Sequence, residues 1–278
     1  MLLDGKVVKQ HIMEELKNKV KDLNATPGLS VIQIGEDPAS SVYIRQKDKM
    51  CQELGYDFNH IKMSADITTE EIINTIKQEN NNPKVDGILV QMPLPSHINA
   101  NIVQNAVDHR KDVDGLTDIN AGRLIHKEDC LMPCTPLGIM KMLDYYHIPI
   151  QGKNVVIVGR SDLVGKPIAQ MMLNRNATVT VCHSGTRNLY EITQKADILV
   201  VAVGKPYFIT APMIKDGAVV IDVGINRING KLYGDVDFPN VEKYCEYITP
   251  VPGGVGQLTV ATLGENVFKA HCLNRIKK

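Results

Sequence analysis

The feature that most constrains this chain is an apolar run in mid-sequence that breaks on glycine and resumes as a helical pattern. It reads Gly152-Lys-Asn-Val-Val-Ile-Val-Gly-Arg-Ser-Asp-Leu-Val-Gly-Lys-Pro167. The β-branched run 155–158 predicts a buried parallel strand, and apolar residues at helical spacing after Pro167 predict a helix. Backbone N–H groups at the start of such a helix can bind a pyrophosphate. Because the spacing departs from Gly-x-Gly-x-x-Gly, a plain strand-turn-helix unit explains this segment equally well on its own.

The next segment indicates which nucleotide the turn would bind. Residues 177–182 are predicted to form the following strand, and His183 and Ser184 stand at its end. A site for NAD usually has an aspartate or glutamate there, which binds the ribose hydroxyl groups. This chain has none, and Arg160 lies in the turn, so a 2′-phosphate fits better. We therefore expect NADP rather than NAD.

Composition and charge narrow the class of protein. The 278 residues, of which 44% are hydrophobic, suffice for one large or two medium-sized packed domains. Equal numbers of acidic and basic residues, with no basic cluster that interleaves aromatic residues, argue against a nucleic-acid partner. The six cysteines form no Cys-x-x-Cys pair and lie at no zinc spacing, so we expect reduced, buried thiols and no metal site.

The N-terminal sequence and the lengths of the apolar segments indicate where in the cell the protein is located. The first residues, Met-Leu-Leu-Asp-Gly-Lys, lack the apolar run of a signal peptide. No segment approaches the length of a membrane span. We therefore expect a cytoplasmic protein that does not bind membranes.

Strand-like and helix-like segments alternate in a first block that ends near residue 138. The predicted elements are helices at 7–23 and 40–54 and strands at 29–34, 58–63 and 85–90. Thr68 and Glu71 form a predicted capping box that opens a further helix, with Ile72, Ile73 and Ile76 facing inward. Such alternation predicts an α/β layer.

A second block follows a predicted helix at 136–145. Its predicted strands are 154–158, 178–182, 198–203 and 218–222. The chain then reaches a last helix at 259–273, which we expect to pack on the first block. The sequence thus predicts an α/β protein of two domains with a cleft between them. The N-terminal catalytic domain comprises residues 1–138, completed by 258–278, and the Rossmann-like nucleotide-binding domain comprises residues 139–257.

Tyr43 and Lys47 are spaced four residues apart in the predicted helix 40–54, which places a phenol and an ammonium on one helix face. Both side chains could then reach one small molecule, although a solvated surface pair is the commoner meaning of this spacing. Short-chain dehydrogenases also contain Tyr-x-x-x-Lys, but there it follows the nucleotide turn. Here the pair precedes that turn by more than a hundred residues, which disfavours that family.

Polar residues also stand near the ends of predicted strands. Gln91 directly follows the strand 85–90, and open α/β sheets bind ligands at the carboxyl ends of their strands. The alternative is an amide that only caps a loop. The turn Lys111-Asp-Val-Asp-Gly115 contains two carboxylates, Asp112 and Asp114, for which turn formation is the alternative. Together with the tyrosine and lysine of the preceding helix, these residues indicate a ligand site.

Six segments resemble a known family. They are Ser41-Val-Tyr-Ile-Arg-Gln-Lys47, Asp86-Gly-Ile-Leu-Val-Gln-Met-Pro-Leu-Pro95, Lys111-Asp-Val-Asp-Gly-Leu116, Pro133-Cys-Thr-Pro136, Gly159-Arg-Ser161 and Thr249-Pro-Val-Pro-Gly-Gly-Val-Gly256. In order and spacing they are similar to the signature segments of bifunctional methylenetetrahydrofolate dehydrogenase/methenyltetrahydrofolate cyclohydrolase. The chain departs from the family at Gln257-Leu-Thr259, where members usually have Pro-Met-Thr.

The resemblance implies a function and a set of site residues. The first domain would bind tetrahydrofolate derivatives through Tyr43, Lys47, Gln91 and Asp114. Further substrate-binding residues would be Pro252, Gly253 and Gly254. The catalytic residues would be Lys47, Tyr43 and Gln91. NADP would be bound by Gly159, Arg160, Ser161, Ser184 and Ile225. The family also implies a homodimer in one-carbon metabolism, which serves purine, methionine and histidine biosynthesis.

The two reactions make different demands on side chains. Oxidation of a methylene bridge between two nitrogens needs no side-chain base, because a nitrogen lone pair stabilises the resulting cation, so that step depends on orientation. Hydrolysis of the methenyl cation needs proton transfers, for which Lys47 is the candidate, oriented by Tyr43 and Gln91. Asp114 suits the amino-pyrimidinone edge of a pterin. We expect His183 to contact the cofactor or to be structural rather than catalytic.

Two other functions remain open at this point. One is a different two-domain NADP enzyme that resembles shikimate dehydrogenase. A measurement of folate binding would distinguish such an enzyme from a folate enzyme. The other is a catalytically silent NADP-binding regulatory protein. The intact set of Tyr43, Lys47, Gln91 and Asp114 argues against a silent protein.

Overall fold

The computed structural model describes residues 1–275, except for the side chains of residues 38 and 39, and it divides into two compact units. The first unit comprises residues 11–134 and the segment from residue 260, and the second comprises residues 1–10 and 135–259. Each unit contains a parallel sheet with helices, so the predicted two-domain α/β class is confirmed. The domain boundaries at 138 and 257 remain predictions. No helix within residues 1–275 is long and apolar enough to cross a membrane.

Residues 1–125 form five helices and three strands. In chain order these are α1 (Gly5–Lys21), β1 (Gly28–Ile34), α2 (Pro38–Leu54), β2 (Asp57–Met63), α3 (Thr69–Asn81), β3 (Gly87–Val90), α4 (Ala100–Asn105) and α5 (Asp118–Ile125). The strands form a parallel sheet in the order β2-β1-β3. Every residue of β1 is buried, as the centre of a parallel sheet requires.

Hydrogen bonds between Thr68 and Glu71 determine where α3 begins. The Thr68 side chain accepts a hydrogen bond from the Glu71 backbone N–H, and the Glu71 carboxylate accepts one from the Thr68 N–H, so the predicted capping box is confirmed. Ile72 and Ile76 are fully buried. Ile73 is only partly buried, because successive helical residues point about 100° apart. The sequence pattern did not predict the short helices α4 and α5.

The remaining elements complete the second unit and return the chain to the first. They are α6 (Cys134–Tyr145), β4 (Asn154–Val158), α7 (Gly165–Asn174), β5 (Thr178–Cys182), α8 (Leu189–Thr193), β6 (Ile198–Val201), β7 (Ala218–Asp222), β8 (Asn226–Ile228), β9 (Lys231–Tyr233), α9 (Phe238–Val241), β10 (Cys245–Ile248) and α10 (Thr259–Arg275). The predicted bounds of β4, β5 and β7 are confirmed. The hairpin β8–β9 and strand β10 were not predicted.

The second unit's sheet is fully parallel, in the order β10-β7-β6-β4-β5. Counted from β4 as the first strand, this is the doubly wound order 2-1-3-4-5, whose direction of winding reverses between β4 and β6. Ligands of such sheets bind outside the carboxyl ends of the strands at that reversal. The glycine turn that follows β4 therefore stands at the place where this fold binds ligands.

The N-terminal residues and helix α10 are each tied into one of these units. In the second unit the Leu3 N–H donates to the Ile248 carbonyl, 2.9 Å away, which adds the N-terminus to β10. In the first unit α10 packs closely at Gly264, where an added Cβ would lie 3.0 Å from side-chain atoms of Met50 and Leu54. The Tyr56 hydroxyl donates to the Gly264 carbonyl. Helix α10 is thus part of the first unit's core.

Candidate active site

Helix α2 and strand β3 position the first group of predicted site residues. Asp37 caps α2 by accepting from the Ser40 N–H at 2.7 Å. Tyr43 and Lys47 lie on this helix one turn apart. Gln91 follows β3 directly, and its N–H donates to the Ile32 carbonyl, which extends the ladder with β1 and holds the residue at the sheet edge.

Lys47 and Gln91 are in direct contact. The Lys47 Nζ donates to the Gln91 Oε1 at 2.6 Å. The Gln91 Nε2 donates to the Met92 carbonyl at 2.7 Å, which fixes which end of the amide faces the lysine. Gln91 is only 8% exposed, whereas Tyr43 is 48% exposed. The Tyr43 hydroxyl makes no hydrogen bond within the described residues, so its ring faces outward beside this pair.

The two carboxylates of the turn 111–115 have different surroundings. Asp112 is buried and accepts from the N–H groups of Leu116 and Thr117 and from the Asn120 side-chain amide. Turn formation, the alternative for both residues, thus describes Asp112. Asp114 is partly exposed, and Gly115 follows it with a φ of 70°. That glycine is required, since a Cβ there would lie 2.4 Å from the Met132 carbonyl carbon.

Burial and mutual charge shift the pKa values of Lys47, Asp114 and Cys134. Burial lowers the pKa of the Lys47 amine, and the negative charge of Asp114 opposes that shift. Burial raises the pKa of Asp114, and the positive charge of Lys47 opposes it. Burial and the nearby Asp114 charge hold the pKa of the Cys134 thiol well above its usual value. These three groups therefore form one electrostatically coupled set.

Sequence reasoning did not identify Cys134 and Asn266 as neighbours of this site. The Cys134 thiol donates to the Val113 carbonyl at 3.3 Å. The buried Asn266, on α10, donates to the carbonyls of Val113 and Met132 at 2.8 and 2.7 Å. It thereby joins Val113, which precedes Asp114 in the chain, to Met132, whose backbone lies against Gly115. The Pro-Cys-Thr-Pro segment could have identified Cys134 as a candidate, but no local pattern in α10 distinguishes Asn266 from its neighbours.

The second unit contains the nucleotide turn. Gly159 has a φ of 128°, and a Cβ there would lie 2.2 Å from the Ala202 carbonyl oxygen, which follows β6. A Cβ on Gly165 would lie 2.3 Å from the Gly159 oxygen. The Ser161 hydroxyl accepts from the N–H groups of Val164 and Gly165, at the start of α7. The turn is therefore a tight glycine cradle that leads into a helix N-terminus, and it fits a nucleotide phosphate.

The other predicted nucleotide residues follow three strands: Arg160 follows β4, Ser184 follows β5 and Ile225 follows β7. Arg160 and Ser184 are exposed, and Ile225 is 52% exposed. Arg160 forms no ion pair within the described part of the chain. The His183 Nδ1 accepts from the Gly185 N–H at 3.1 Å, so this ring is tied into its own turn, as a structural histidine would be.

Pro252, Gly253 and Gly254 form a loop of the second unit between β10 and a 3₁₀ turn at Val255–Gln257. The Gly253 carbonyl accepts from the Gly5 N–H at 2.8 Å, and a Cβ on Gly5 would lie 2.0 Å from the Gly254 oxygen. The start of α1 thus holds the loop. The Gln257 N–H donates to the Gly254 carbonyl. A proline at this position, where the resemblance predicts one, could not make that bond because it has no backbone N–H.

The six cysteines are free thiols; Cys51, Cys130, Cys134 and Cys182 are buried, and Cys245 and Cys272 are partly buried. Within residues 1–275 no group of three His, Cys, Asp or Glu side chains could hold a metal ion.

Comparison with known proteins places both units in one family. The family model of the tetrahydrofolate dehydrogenase/cyclohydrolase catalytic domain matches residues 3–114, and that of the same family's NAD(P)-binding domain matches residues 133–275. The bifunctional protein FolD of Halalkalibacterium halodurans is 50% identical over 273 residues, which are 97% of this chain and 98% of that protein.

Solved structures agree with this assignment. The bifunctional methylenetetrahydrofolate dehydrogenase/cyclohydrolase FolD of Campylobacter jejuni is 44% identical, with a TM-score of 0.96, and the match covers 98% of this chain and 99% of that one. The Trypanosoma brucei enzyme, solved with NADP and an inhibitor, is 34% identical with a TM-score of 0.93, over 100% and 99% of the two chains. The chain therefore belongs to the tetrahydrofolate dehydrogenase/cyclohydrolase family and is an enzyme with both of the activities for which that family is named.

Proposed function

We propose that this enzyme oxidises 5,10-methylenetetrahydrofolate to 5,10-methenyltetrahydrofolate with NADP and then hydrolyses that product to 10-formyltetrahydrofolate. In this assignment Tyr43, Lys47, Gln91 and Asp114 bind the folate, and Lys47, Tyr43 and Gln91 serve catalysis. The observation that carries the proposal is the contact between the Lys47 amine and the Gln91 amide, in surroundings that lower the pKa of the lysine. A lysine whose pKa is lowered gives up its proton more readily than an exposed lysine, which suits it to transfer protons.

The dehydrogenase step makes small demands on the side chains. NADP, when bound, supplies the hydride acceptor. The methylene carbon becomes a cation that the lone pair of a neighbouring nitrogen stabilises, so no side chain has to remove a proton. The enzyme's contribution is to hold the substrate in one orientation and to limit access by water.

The cyclohydrolase step uses Lys47 as a proton carrier. The oxygen of a water molecule bonds to the methenyl carbon, and the neutral Lys47 amine accepts the proton that the water loses. The bond from that carbon to N5 then breaks as the lysine ammonium gives its proton to N5. The hydroxyl oxygen loses its remaining proton to the lysine amine and becomes the carbonyl of the formyl group on N10, and the lysine finally releases that proton to solvent. The Gln91 Oε1 accepts from Lys47 at 2.6 Å and so aims the amine. Tyr43, whose ring is half exposed beside it, would face the substrate.

Asp114 is proposed to bind the pterin ring. An ionised carboxylate can accept two hydrogen bonds from the amino-pyrimidinone edge of a pterin, which sets the register of the ring. The positive charge of Lys47 favours the ionised form of Asp114 against the effect of burial. Asp112 accepts from the N–H groups of the turn, and Asp114 has a hydrogen bond from the Cys134 thiol, which leaves its carboxylate with further acceptor positions. In the second unit we propose that Pro252, Gly253 and Gly254 contact the substrate.

NADP rather than NAD is proposed as the hydride acceptor. The glycine cradle of Gly159 and the start of α7 would bind the pyrophosphate, with Ser161 at the helix start and Ile225 along the nucleotide. No carboxylate directly follows β5, where Ser184 is exposed, and Arg160, exposed after the neighbouring strand β4, has no ion-pair partner within residues 1–275. A guanidinium and a hydroxyl suit a 2′-phosphate, whereas NAD offers two ribose hydroxyl groups.

We further propose that the enzyme is a cytoplasmic homodimer that serves purine, methionine and histidine biosynthesis, as the family resemblance implies. Light scattering coupled to size-exclusion chromatography tests the dimer directly. A mass equal to one chain at micromolar concentration would contradict it.

A paired spectrophotometric assay tests both activities. The purified chain receives methylenetetrahydrofolate with NADP or with NAD, and the reduced nucleotide and the methenyl species are followed together. We expect reduction of NADP, faster than reduction of NAD, with little accumulation of the methenyl species because hydrolysis follows. A chain that reduces neither nucleotide, or that fails to hydrolyse added methenyltetrahydrofolate, would contradict the proposed pair of reactions.

A further inference from the structure

Two buried carboxylates in the second unit are not used by the mechanism above. Asp222 is the last residue of β7 and is 3% exposed, and Asp235 follows the hairpin β8–β9 and is 0% exposed. Neither forms an ion pair with a lysine or an arginine within residues 1–275. Burial of a carboxylate without a cation is unfavourable unless hydrogen bonds compensate for the lost hydration. We therefore consider which hydrogen-bond donors surround each of these two carboxylates.

Asp235 binds the loop that follows β6. Its Oδ2 accepts from the N–H groups of Val203 and Gly204 at 2.7 and 2.9 Å, and its Oδ1 accepts from the Lys205 N–H at 2.8 Å. Three successive N–H groups around one anion form the concave arrangement that elsewhere binds phosphate. In this chain an internal carboxylate fills it. The loop 203–205 therefore has its shape set by Asp235, and its N–H groups are not free to bind a nucleotide phosphate.

Asp222 in turn holds Asp235. Its Oδ1 accepts from the Asp235 N–H at 2.9 Å and from the Gly224 N–H at 3.0 Å, and its Oδ2 accepts from the Val236 N–H at 2.9 Å. The Asn226 side-chain amide donates to the Asp235 Oδ1 at 2.9 Å, which closes the network. The network thus joins the loop after β6, the loop after β7 and the end of the hairpin.

Two glycines leave space for these carboxylates. A Cβ on Gly224 would lie 2.2 Å from the Asp235 Cγ, and a Cβ on Gly234 would lie 1.9 Å from the Asp222 Oδ2. Neither glycine has a positive φ, so the requirement is for space and not for backbone conformation. Each carboxylate therefore lies directly against a backbone that has no side chain.

The network lies at the ligand-binding edge of the sheet. The strand order reverses between β4 and β6, so residues 203–205 stand on one side of that reversal and the Gly159 turn on the other. Ile225, the predicted nucleotide residue, is held between Gly224 and Asn226, both of which bond to the network. We propose that Asp235, held in place by Asp222, is a positioning residue that shapes these two loops for the NADP-binding site. This inference rests on the proposed function.

Asp235→Asn tests the proposal in the full-length enzyme. An asparagine of the same shape offers one oxygen in place of two, so whichever way it is oriented two of the four donors lose their acceptor. We expect the calorimetric Kd for NADP and the dehydrogenase KM for NADP to rise about ten-fold or more. We expect the cyclohydrolase kcat and KM, measured on methenyltetrahydrofolate without NADP, to stay within about two-fold of the wild-type values.

A matched control and a milder variant complete the test. Asp237→Asn changes a carboxylate two positions away that accepts from the Asn240 side chain, and it should alter neither Kd nor either activity. Asn226→Ala removes one donor while the carboxylate stays, so it should raise the NADP Kd by a smaller factor even if Asp235→Asn does not fold. An unchanged NADP Kd in a folded Asp235→Asn or Asn226→Ala enzyme, or equal losses in both activities, would overturn the proposal. A wild-type chain that binds no NADP would overturn the proposed function and this inference with it.

Discussion

At the scale of single residues, neighbouring side chains of one type have separate tasks. Asp112 and Asp114 lie two positions apart, yet Asp112 satisfies three donors of its own turn, whereas Asp114 is partly exposed and is coupled to Lys47. Lys47 and Lys49 lie on the same helix, and only Lys47 is half buried, against Gln91. Hydrogen-bond partners and burial, rather than residue type, distinguish the two members of each pair.

Lys47→Met should separate the two chemistries. Methionine keeps most of the length and apolar packing of lysine, so folding should persist, but the proton carrier is lost. Cyclohydrolase activity should fall by about 100-fold or more, whereas dehydrogenase activity should remain measurable and methenyltetrahydrofolate should accumulate. Stopped-flow absorbance of the methenyl species measures both, and the exposed Lys49→Met is the control. Loss of both activities with intact folate binding would show that Lys47 also positions the substrate for hydride transfer.

Asp114→Ala and Asp112→Ala should fail in different ways. Asp114→Ala should weaken folate binding, impair both activities and leave NADP binding and the melting temperature unchanged. Asp112→Ala removes the acceptor of the Leu116 and Thr117 N–H groups and one of the two acceptors of the Asn120 amide, and should lower the free energy of unfolding by about 3 kcal/mol. Calorimetric titration with each ligand and chemical denaturation distinguish them. Normal folate affinity of the Asp114→Ala enzyme would show that Asp114 only forms the turn, as Asp112 does.

Arg160→Ala should change the choice of cofactor. The exposed guanidinium is proposed to bind the 2′-phosphate, and loss of one charge-assisted contact of this kind raises a Kd by about ten-fold or more. The KM for NADP should rise by that factor while the KM for NAD stays near its wild-type value. Arg175→Ala, which removes an exposed pair with Asp144, is the control. Equal effects on both nucleotides would contradict the assignment.

At the scale of elements, side chains from distant segments complete the ends of helices and strands. Strand β6 ends at Val201, two residues before its predicted end, and the N–H of Val203 points to the Asp235 carboxylate instead of continuing the ladder. The C-terminal end of α3 likewise depends on Lys111. Its buried Nζ donates to the carbonyls of Glu79 and Asn82 at 3.1 and 2.9 Å. A cation at a helix C-terminus also interacts favourably with the helix dipole.

Lys111→Met should therefore destabilise the first unit. It removes two hydrogen bonds from a charged, buried donor, although each carbonyl keeps one backbone partner, the Asn82 N–H for Glu79 and the Val85 N–H for Asn82. We expect the free energy of unfolding to fall by about 2 kcal/mol. Urea denaturation followed by circular dichroism measures the change, and Lys84→Met, at an exposed position near the same helix end, should be neutral. Equal midpoints for the two variants would contradict a capping role for Lys111.

At the scale of the whole molecule, each unit has its own core, and buried polar networks hold its functional loops. In the first unit α10 contributes Asn266 to the Asp114 turn and His271 to a buried contact with Asp86, 2.8 Å away. In the second unit the Asp222 and Asp235 network joins three segments. Within the second network, the Asp222 carboxyl has a shifted pKa that makes stability depend on pH.

Asp222 should make wild-type stability fall as pH rises. Burial raises the pKa of this carboxyl to about 6, against three backbone hydrogen bonds that oppose the shift. Because the folded pKa lies above the unfolded value of 3.8, the stabilising contribution is complete below the unfolded pKa and is lost as pH rises through about 6. Relative to Asp222→Asn, which cannot titrate, the wild type should be more stable near about pH 5 than near about pH 8 by roughly 1.4 kcal/mol.

Denaturant unfolding of both proteins at the two pH values gives this difference, in which the other titrating groups cancel. A stability difference that does not change with pH would mean that Asp222 keeps its charge throughout this range.

Several elements could be predicted from the sequence because their signals are local. The β-branched runs of β4, β5 and β7 end at glycines or polar residues, and their bounds were predicted correctly. The capping box of α3 needs only residues 68–71. Strand β10 and the hairpin β8–β9 were missed because they are short and become strands through pairing: β10 with β7, and the two hairpin strands with each other. Helices α4 and α5 were missed because each is under nine residues long.

By itself, the sequence determined the α/β class, the family and the residue types that the chemistry needs, because strand periodicity, turn glycines and signature segments are local properties. Tertiary structure decided which of these residues touch. The 2.6 Å contact joins Lys47 to Gln91 across 44 positions, and Asn266 reaches Val113 across 153. It also decided that Asp112 and Asp235 bind backbone N–H groups, whereas Asp114 lies beside Lys47 and Cys134. Burial and the partners of a carboxylate depend on what the fold brings against it, and no local pattern contains that information.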